Sequence, residues 1–255
     1  MALTEAEALA LTEAVREVAA REIVPRFRAL APADVEAKSS WDDLVTVADR
    51  AAEEALAGRI RAILPGCAIL GEEAASADAA VLDRVGAGRV AVIDPIDGTW
   101  NFAHGVANHG VILAVLEEGE TVWGLLYDPS FDDWVAAHRG GGAWFHRAGR
   151  SRRLRVSAED GADERLRGNV GAYMFAGEAR HRLAALGGRF RRAASLGASV
   201  HEYRQLSLGG SDFCRTGCSA SGTTPRACSR SRRRAGCRAC STGGTTRPRC
   251  ARGTC

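Results

Sequence analysis

The stretch Val90-Ala-Val-Ile-Asp-Pro-Ile-Asp-Gly-Thr-Trp-Asn-Phe102 constrains this chain more than any other. Val90 to Ile93 is a continuous apolar run, the pattern of a buried strand. It delivers Asp94 and Asp97 into a loop marked by Pro95 and Gly98. Asp-Gly followed by Thr99 and Asn101 reads as a turn into a helix start, whose free N–H groups and positive dipole end suit an anion such as phosphate. Two carboxylates three residues apart beside such a start place a hard-cation site next to an anion site. Mg²⁺ is the natural cation, because it takes oxygen ligands and shares them with substrate phosphate.

The flanking sequence builds a scaffold around this loop. Thr4 and Glu7 read as a capping box that opens an amphipathic helix reaching about Arg28, with Pro25 expected to kink it and Pro32 to end it. Lys38 to Thr46 reads as an extended or hairpin segment. A second helix runs from Thr46 or Asp49 to about Leu64, and Cys67 to Leu70 forms a short strand ending in Gly71-Glu72-Glu73. After Gly105 the pattern turns to strands at 110–116, 121–127 and 133–138, most economically an antiparallel meander. Val170 to Met174 reads as a strand, and Gly177 to Leu186 and Ser199 to Leu208 as helices. Two successive groups of helices and strands indicate a layered α/β or α+β protein. The expected division is a metal- and phosphate-binding part over residues 1–150, the start of a second α/β part over 151–213, and a tail from 214.

Asp49, Glu72 and the Asp94/Asp97 pair each end an apolar run or open a helix. Phosphate monoester hydrolysis needs such a set: the substrate is an anion, water is a weak nucleophile, and metal ions activate one oxygen while stabilising another. Each acid also has a plain structural reading. Asp49 is an N-cap residue, Glu72 and Glu73 lie in a solvated turn, and Asp97-Gly98 is a surface turn. Jointly these readings weaken, since charge at the end of a buried strand normally has a partner or a metal. His104 and His109, just past the loop, read as structural.

Asp94-Pro-Ile-Asp-Gly-Thr99, with Gly71-Glu72-Glu73 and Lys38-Ser-Ser-x-x-Asp-Leu-Val-Thr-x-Ala-Asp49 before it, resembles the inositol monophosphatase family of Mg²⁺-dependent phosphatases. The resemblance runs from the first helix to about Phe213. It implies a layered α/β/α/β/α sandwich, incomplete at its C-terminal end here, and a homodimer where the fold is intact. It implies that Glu72, Asp94 and the carbonyl of Ile96 hold a first metal, Asp94 and Asp97 a second, and Asp49 a third metal or its water. Thr99 with Glu72 would orient and deprotonate the attacking water, with Asp49 counted among the catalytic groups. Gly98 and Thr99 N–H groups would hold the phosphate, and Lys38, Gly197, Ala198 and Ser199 would contact the substrate. The implied substrate is inositol 1-phosphate. Histidinol phosphate, a nucleotide 3′-phosphate and fructose bisphosphate are the alternatives, as is a catalytically dead phosphate-binding protein.

Composition enters at the tail. The chain carries 8 cysteines, yet Cys67 is the only one before Phe213. From Cys214 to Cys255 there are seven, together with ten arginines and no acid and no large apolar residue. Without those arginines the net charge of +3 becomes −7 for the first 213 residues, so the basic average says nothing of a nucleic-acid partner for the body. The family's Trp-Asp-x-Ala-Ala-Gly motif, whose Asp completes the second metal site, is missing. Residues 222–227 read Gly-Thr-Thr-Pro-Arg-Ala, which is what the codons tgg gac cac gcc gcg ggc, encoding Trp-Asp-His-Ala-Ala-Gly, give when read one base later. The tail therefore reads as a frame-shifted translation beginning just after Phe213. A zinc module from Cys214-x₃-Cys218 and Cys237-x₂-Cys240, or a basic nucleic-acid arm at Arg230 to Arg234, explains less. Lacking apolar side chains, the tail is expected to be disordered and to leave the last sheet with an open edge. No stretch is apolar enough to span a membrane and the N-terminus lacks a secretory pattern, so the expected partners exclude a membrane and the expected location is cytoplasmic.

Overall fold

The computed structural model describes residues 3–77, 88–159 and 161–215. Helix α1 (Glu5–Val18) opens on the expected box: the Glu7 amide donates to Thr4 Oγ1 at 3.2 Å and the Thr4 amide to Glu7 Oε2 at 2.7 Å. The chain then widens into a π turn at Ala19–Ile23 and tightens into a 3₁₀ turn at Val24–Arg26. Pro25 lacks the N–H an α-helix needs, so the α-helix ends earlier than its apolar period indicates. Strands β1 (Val35–Ala37) and β2 (Leu44–Thr46) form the expected hairpin. Helix α2 (Val47–Ile63) grows from β2, with Thr46 as N-cap and Asp49 in the first turn.

The large sheet has seven strands in chain order: β3 (Ala68–Gly71), β4 (Arg89–Asp97), β5 (Gly110–Glu117), β6 (Glu120–Asp128), β7 (Asp133–His138), β8 (Gly142–Arg147) and β9 (Arg150–Arg153). β3 and β4 run parallel and every later pair is antiparallel. The β8–β9 hairpin goes beyond the three-strand meander read from sequence. Its last strand, Arg-Ser-Arg-Arg, is exposed at every position and has no apolar alternation to detect. β4 also runs further than expected, through Pro95 to Asp97, with a register break against β5 between Asp94 and Asp97. A proline with no N–H is tolerated at such a bulge, which re-aims the side chains around it.

Alternation assigns the two faces of this sheet. Val111, Leu113 and Val115 of β5 and Trp123, Leu125 and Tyr127 of β6 pack with Leu11, Val15 and Val18 of α1 and Leu56 and Ile60 of α2 in one core. The opposite parity faces helix α6 (Ser199–Ser207): Gly110 lies against Val200, and buried Arg204 donates to the Leu126 carbonyl at 3.0 Å, ion-pairs with Asp133 and sits over Phe145. A second sheet, ordered β11-β10-β12, is parallel: β10 (Arg167–Val170), β11 (Arg192–Ala194) and β12 (Phe213–Arg215). Helix α6 reaches both sheets, whereas α5 (Gly177–Gly187) packs on β10 and β11. The layers are therefore helices α1 and α2, the large sheet, α6, the small sheet and α5, the expected sandwich.

The strand read at Val170 to Met174 instead ends at Val170, and Ala172–Met174 forms a 3₁₀ turn. Of the tail, Cys214 and Arg215 belong to β12, and the Cys214 thiol donates to Glu202 at 3.5 Å. The cysteine spacings, Arg230 to Arg234 and residues 222–227 lie outside the described residues. Among the described residues no helix is long and apolar enough to cross a membrane.

Candidate active site

β3 and β4 are parallel neighbours, so their C-terminal ends lie side by side, and each runs straight into a short helix. β3 passes into α3 (Glu72–Ala77) and β4 into α4 (Thr99–Ala103), with Gly98 between β4 and α4 at φ +90°. Carboxylates separated by more than twenty residues in sequence thereby meet at one sheet end. They line a cavity of about 450 Å³ with Gly71, Ile96, Gly98, Thr99, Gly197, Ala198 and Ser199. Of the residues expected there, Glu72, Asp94, Ile96, Asp97, Gly98, Thr99, Gly197, Ala198 and Ser199 all line it.

Asp49 is not the N-cap of α2, which is Thr46, but lies three residues on as the second half of its capping box. Its Oδ2 accepts the Thr46 amide at 2.8 Å, capping α2, while Oδ1 lies 3.1 Å from the Thr99 hydroxyl, which is also 2.9 Å from the Ile96 carbonyl. Asp97 Oδ2 accepts the Val200 amide at 2.5 Å, so the first turn of α6 is tied to the loop. Lys38 is turned into the acids: its Nζ lies 3.0 Å from Glu72, 3.2 Å from Glu73 and 3.8 Å from Asp43. Burial pulls the Lys38 ammonium down, but the Glu72 and Glu73 carboxylates outweigh it and push it up overall, so it stays charged.

This corner is overloaded with negative charge. Burial, followed by the charges of Glu72 and Asp97, pushes Asp94 well above the carboxylate range. Burial pushes Asp97 to about 7, against the Val200 amide that opposes it, and Asp49 to about 6, against Thr46 and Thr99. Glu73 is likewise pushed by burial to about 7, although Lys38 pulls it down. Asp94 Oδ1 is buried with no hydrogen-bond partner. An orphaned carboxylate oxygen among mutually raised acids is what a hard divalent cation relieves, and an all-oxygen donor set suits Mg²⁺. No group of three or more His, Cys, Asp or Glu among the described residues is arranged to enclose a metal. The acids are engaged with one another and with Lys38, whose ammonium supplies the local positive charge.

The raised values fix a pH dependence. Carboxyls of the unfolded chain titrate near 4, so between about pH 4 and 7 the metal-free fold binds more protons than the unfolded chain. Its stability therefore falls as pH rises through that window. Buried His109, pushed down to about 4 by desolvation, acts in the opposite sense, losing its contribution as pH falls below about 6.5. The readout is therefore the Mg²⁺-dependent difference in melting temperature. A cation held by these acids at 100 times its Kd would add ~2.7 kcal/mol, or about 5–11 °C for a domain of this size, at pH 8, and should add much less at pH 5, where the acids are protonated.

Two residues the sequence reading did not single out as site residues complete the frame. The Asn101 amide of α4 donates to the carbonyls of Asn108 at 2.8 Å and Leu196 at 2.9 Å, holding the 195–199 segment against the Gly98 turn. From the other side, buried Glu202 of α6 accepts the Ser195 hydroxyl at 2.8 Å and the Leu196 amide at 2.9 Å. A polar residue in a loop motif was a usable signal for Asn101. A lone acid in an amphipathic helix gave none for Glu202. The histidines are structural, as expected: His104 stacks on Trp100 and His109 is buried between Phe27 and Phe102.

Gly98 has no room for a side chain. A Cβ there would lie 2.8 Å from both the Asn108 carbonyl and Ala198 Cβ, on a backbone with positive φ. Gly98→Ala should cost about 1–3 kcal/mol, read as a lowered urea midpoint with unchanged m-value.

A glycine-turned carboxylate loop at the end of β4 thus lies beside the parallel end of β3 and faces the central helix α6 of a five-layer sandwich. The profile described as the Inositol monophosphatase family matches residues 5–215, and the chain belongs to that family, whose members are metal-dependent phosphomonoester hydrolases. It is 33% identical over 181 residues to the fructose-1,6-bisphosphatase/inositol-1-monophosphatase of Thermotoga maritima, covering 71% of this chain and 64% of that protein. It is 37% identical over 132 residues to the inositol-1-monophosphatase of Bacillus subtilis, covering 52% and 47%. The solved structure of a Thermotoga maritima IMPase superposes with a TM-score of 0.64 at 28% identity, over 80% of this chain and 73% of that one. The chain thus spans about half to two thirds of the length of these curated relatives.

Proposed function

We propose that this chain is a Mg²⁺-dependent hydrolase of small phosphate monoesters, with an inositol phosphate as the first substrate class. The observation that carries the reading is the orphaned, buried Asp94 oxygen beside the Gly98 turn, both residues lining one cavity of about 450 Å³. Glu72, Asp94 and the Ile96 carbonyl would hold one Mg²⁺, and Asp94 with Asp97 a second, with Asp49 near a third. Bound there, Mg²⁺ supplies charge neutralisation and a more acidic water.

The chain's own groups do the rest. The Thr99 hydroxyl, held between Asp49 and the Ile96 carbonyl, orients the attacking water, with Glu72 as the base. The N–H groups of Gly98 and Thr99, at the start of α4, receive the phosphate. Gly197, Ala198 and Ser199 form the opposite wall and contact the leaving alcohol. To serve a metal, Glu72 must turn away from Lys38, which is then released toward the phosphate.

Support for inositol phosphate comes from relatives named as inositol-1-monophosphatases, and a bisphosphate sugar is the second reading because the Thermotoga maritima relative carries both names. The missing Trp-Asp motif removes one carboxylate from the second metal, and loss of even an outer partner costs ~10–100-fold. The proposed activity is correspondingly weak. Resequencing the codons for Ser211 to Ala227 and assaying a chain whose frame is restored there tests this. Restored protein should release phosphate ~10–100-fold faster; equal rates would show that the tail does not limit the site.

A further inference from the structure

The Gly-Glu-Glu turn that carries Glu72 is held by a residue outside the site. Glu53, half-buried on α2, sends its carboxylate to the first turn of α3: Oε2 accepts the Glu73 amide at 2.9 Å and Oε1 accepts the Ala74 amide at 3.1 Å. These are two of the N–H groups that an α-helix leaves unpaired at its start. Gly71, the residue before the helix, makes room for the carboxylate; a Cβ at that position would overlap Glu53. Gly71 lacks a positive φ, so the requirement for glycine there is one of space.

Both ends of this contact are rigid. Glu53 lies one turn beyond Asp49 on the same helix, and α2 is anchored in the core by Ala52 and Leu56. α3 follows directly from β3, whose last residue pairs with Ile93, next to Asp94. A carboxylate on two amides is charge-assisted on its acceptor side, and its negative charge favours the positive end of the helix. It therefore sets where Glu72 begins relative to Asp94 and Asp49, although it touches neither substrate nor metal.

We infer that Glu53 and Gly71 form a positioning device: Glu53 caps α3 and thereby fixes Glu72 at the metal-binding corner. The inference rests on the functional reading above for its metal half and on geometry alone for its capping half.

The test uses the full chain. In metal-free protein, amide exchange at Glu73 and Ala74 should be slow in the parent, faster by at least ~10-fold in Glu53→Ala and intermediate in Glu53→Gln, which keeps one acceptor oxygen. Glu53→Ala should raise the Mg²⁺ concentration needed for half-maximal thermal stabilisation by ~10–100-fold, while the rate at saturating Mg²⁺ changes little. Gly71→Ala should weaken Mg²⁺ binding in the parent and much less in the Glu53→Ala background, where the space is already open. Unchanged amide exchange in Glu53→Ala overturns the cap. Faster exchange with unchanged Mg²⁺ half-saturation, or additive effects of the two substitutions, overturns the positioning role. If the parent itself binds no Mg²⁺, the functional reading falls together with the metal half of the inference. Failure confined to the variants removes the inference alone.

Discussion

Asp94→Asn should abolish the proposed Mg²⁺-dependent phosphate release, by more than ~100-fold, and at the same time raise the melting temperature of the metal-free protein. The two effects have one cause. Asp94 is half-buried at a strand end, with one buried oxygen unpartnered and with Glu72 and Asp97 close enough to raise its pKa further. Without metal, that carboxylate is a net liability: an unsatisfied buried group costs about 1–3 kcal/mol, more when charged. Asn has nearly the same shape, carries no charge and can donate to Glu72. Because the folded pKa of Asp94 is raised, its cost grows as pH rises above the unfolded value, so the gain should be larger at pH 8 than at pH 5. Added Mg²⁺ should then no longer stabilise the variant. A lowered metal-free melting temperature would mean that Asp94 is a structural acid.

Arg204→Ala should destabilise the protein by about 3–5 kcal/mol, roughly 6–20 °C in melting temperature for a domain of this size. Arg204 is buried, pairs with Asp133, lies 3.9 Å from Asp128 and donates to the backbone carbonyls of Leu126 and Asp133 on neighbouring strands β6 and β7. Both aspartates are buried in turn. Arg147 is only at 3.9 Å from Asp133, too remote to replace the lost partner. Removing the guanidinium leaves buried Asp133 without its close partner, while Asp128 keeps the Ser130 amide and His201, and the loss at Asp133 outweighs the packing loss. The consequence reaches the site, because α6 carries Val200, whose amide meets Asp97, and follows the Gly197-Ala198-Ser199 wall. Calorimetric melting of metal-free protein measures the effect, and a loss under ~1 kcal/mol would place Arg204 among ordinary surface pairs.

The central carboxylates were legible because their signal is local. A buried strand, a proline, two aspartates and a glycine occur within ten residues, and the parallel pairing of β3 with β4 then brings Glu72 to them. The helix caps Thr4/Glu7 and Thr46/Asp49 were equally readable, each being complete within four residues. What sequence could not show depends on contacts between distant segments. Glu53 reaches Glu73, Glu202 holds Ser195 and Leu196 from a later helix turn, and Arg204 crosses to β7, with no spacing rule connecting any of these pairs. β9 escaped because an edge strand of arginines, a common defence against edge pairing, has no apolar period. The contacts of Lys38 were hidden for a related reason: Glu72 and Glu73, which pair with it, lie more than thirty residues further along the chain.

The most direct test of the account is a titration of metal-free protein with Mn²⁺, a paramagnetic stand-in for Mg²⁺, with free ion counted by electron paramagnetic resonance. Mn²⁺ should bind saturably, be displaced by Mg²⁺ and fail to bind Asp94→Asn. Equal binding by the parent and Asp94→Asn, or no saturable binding by the parent, would contradict it.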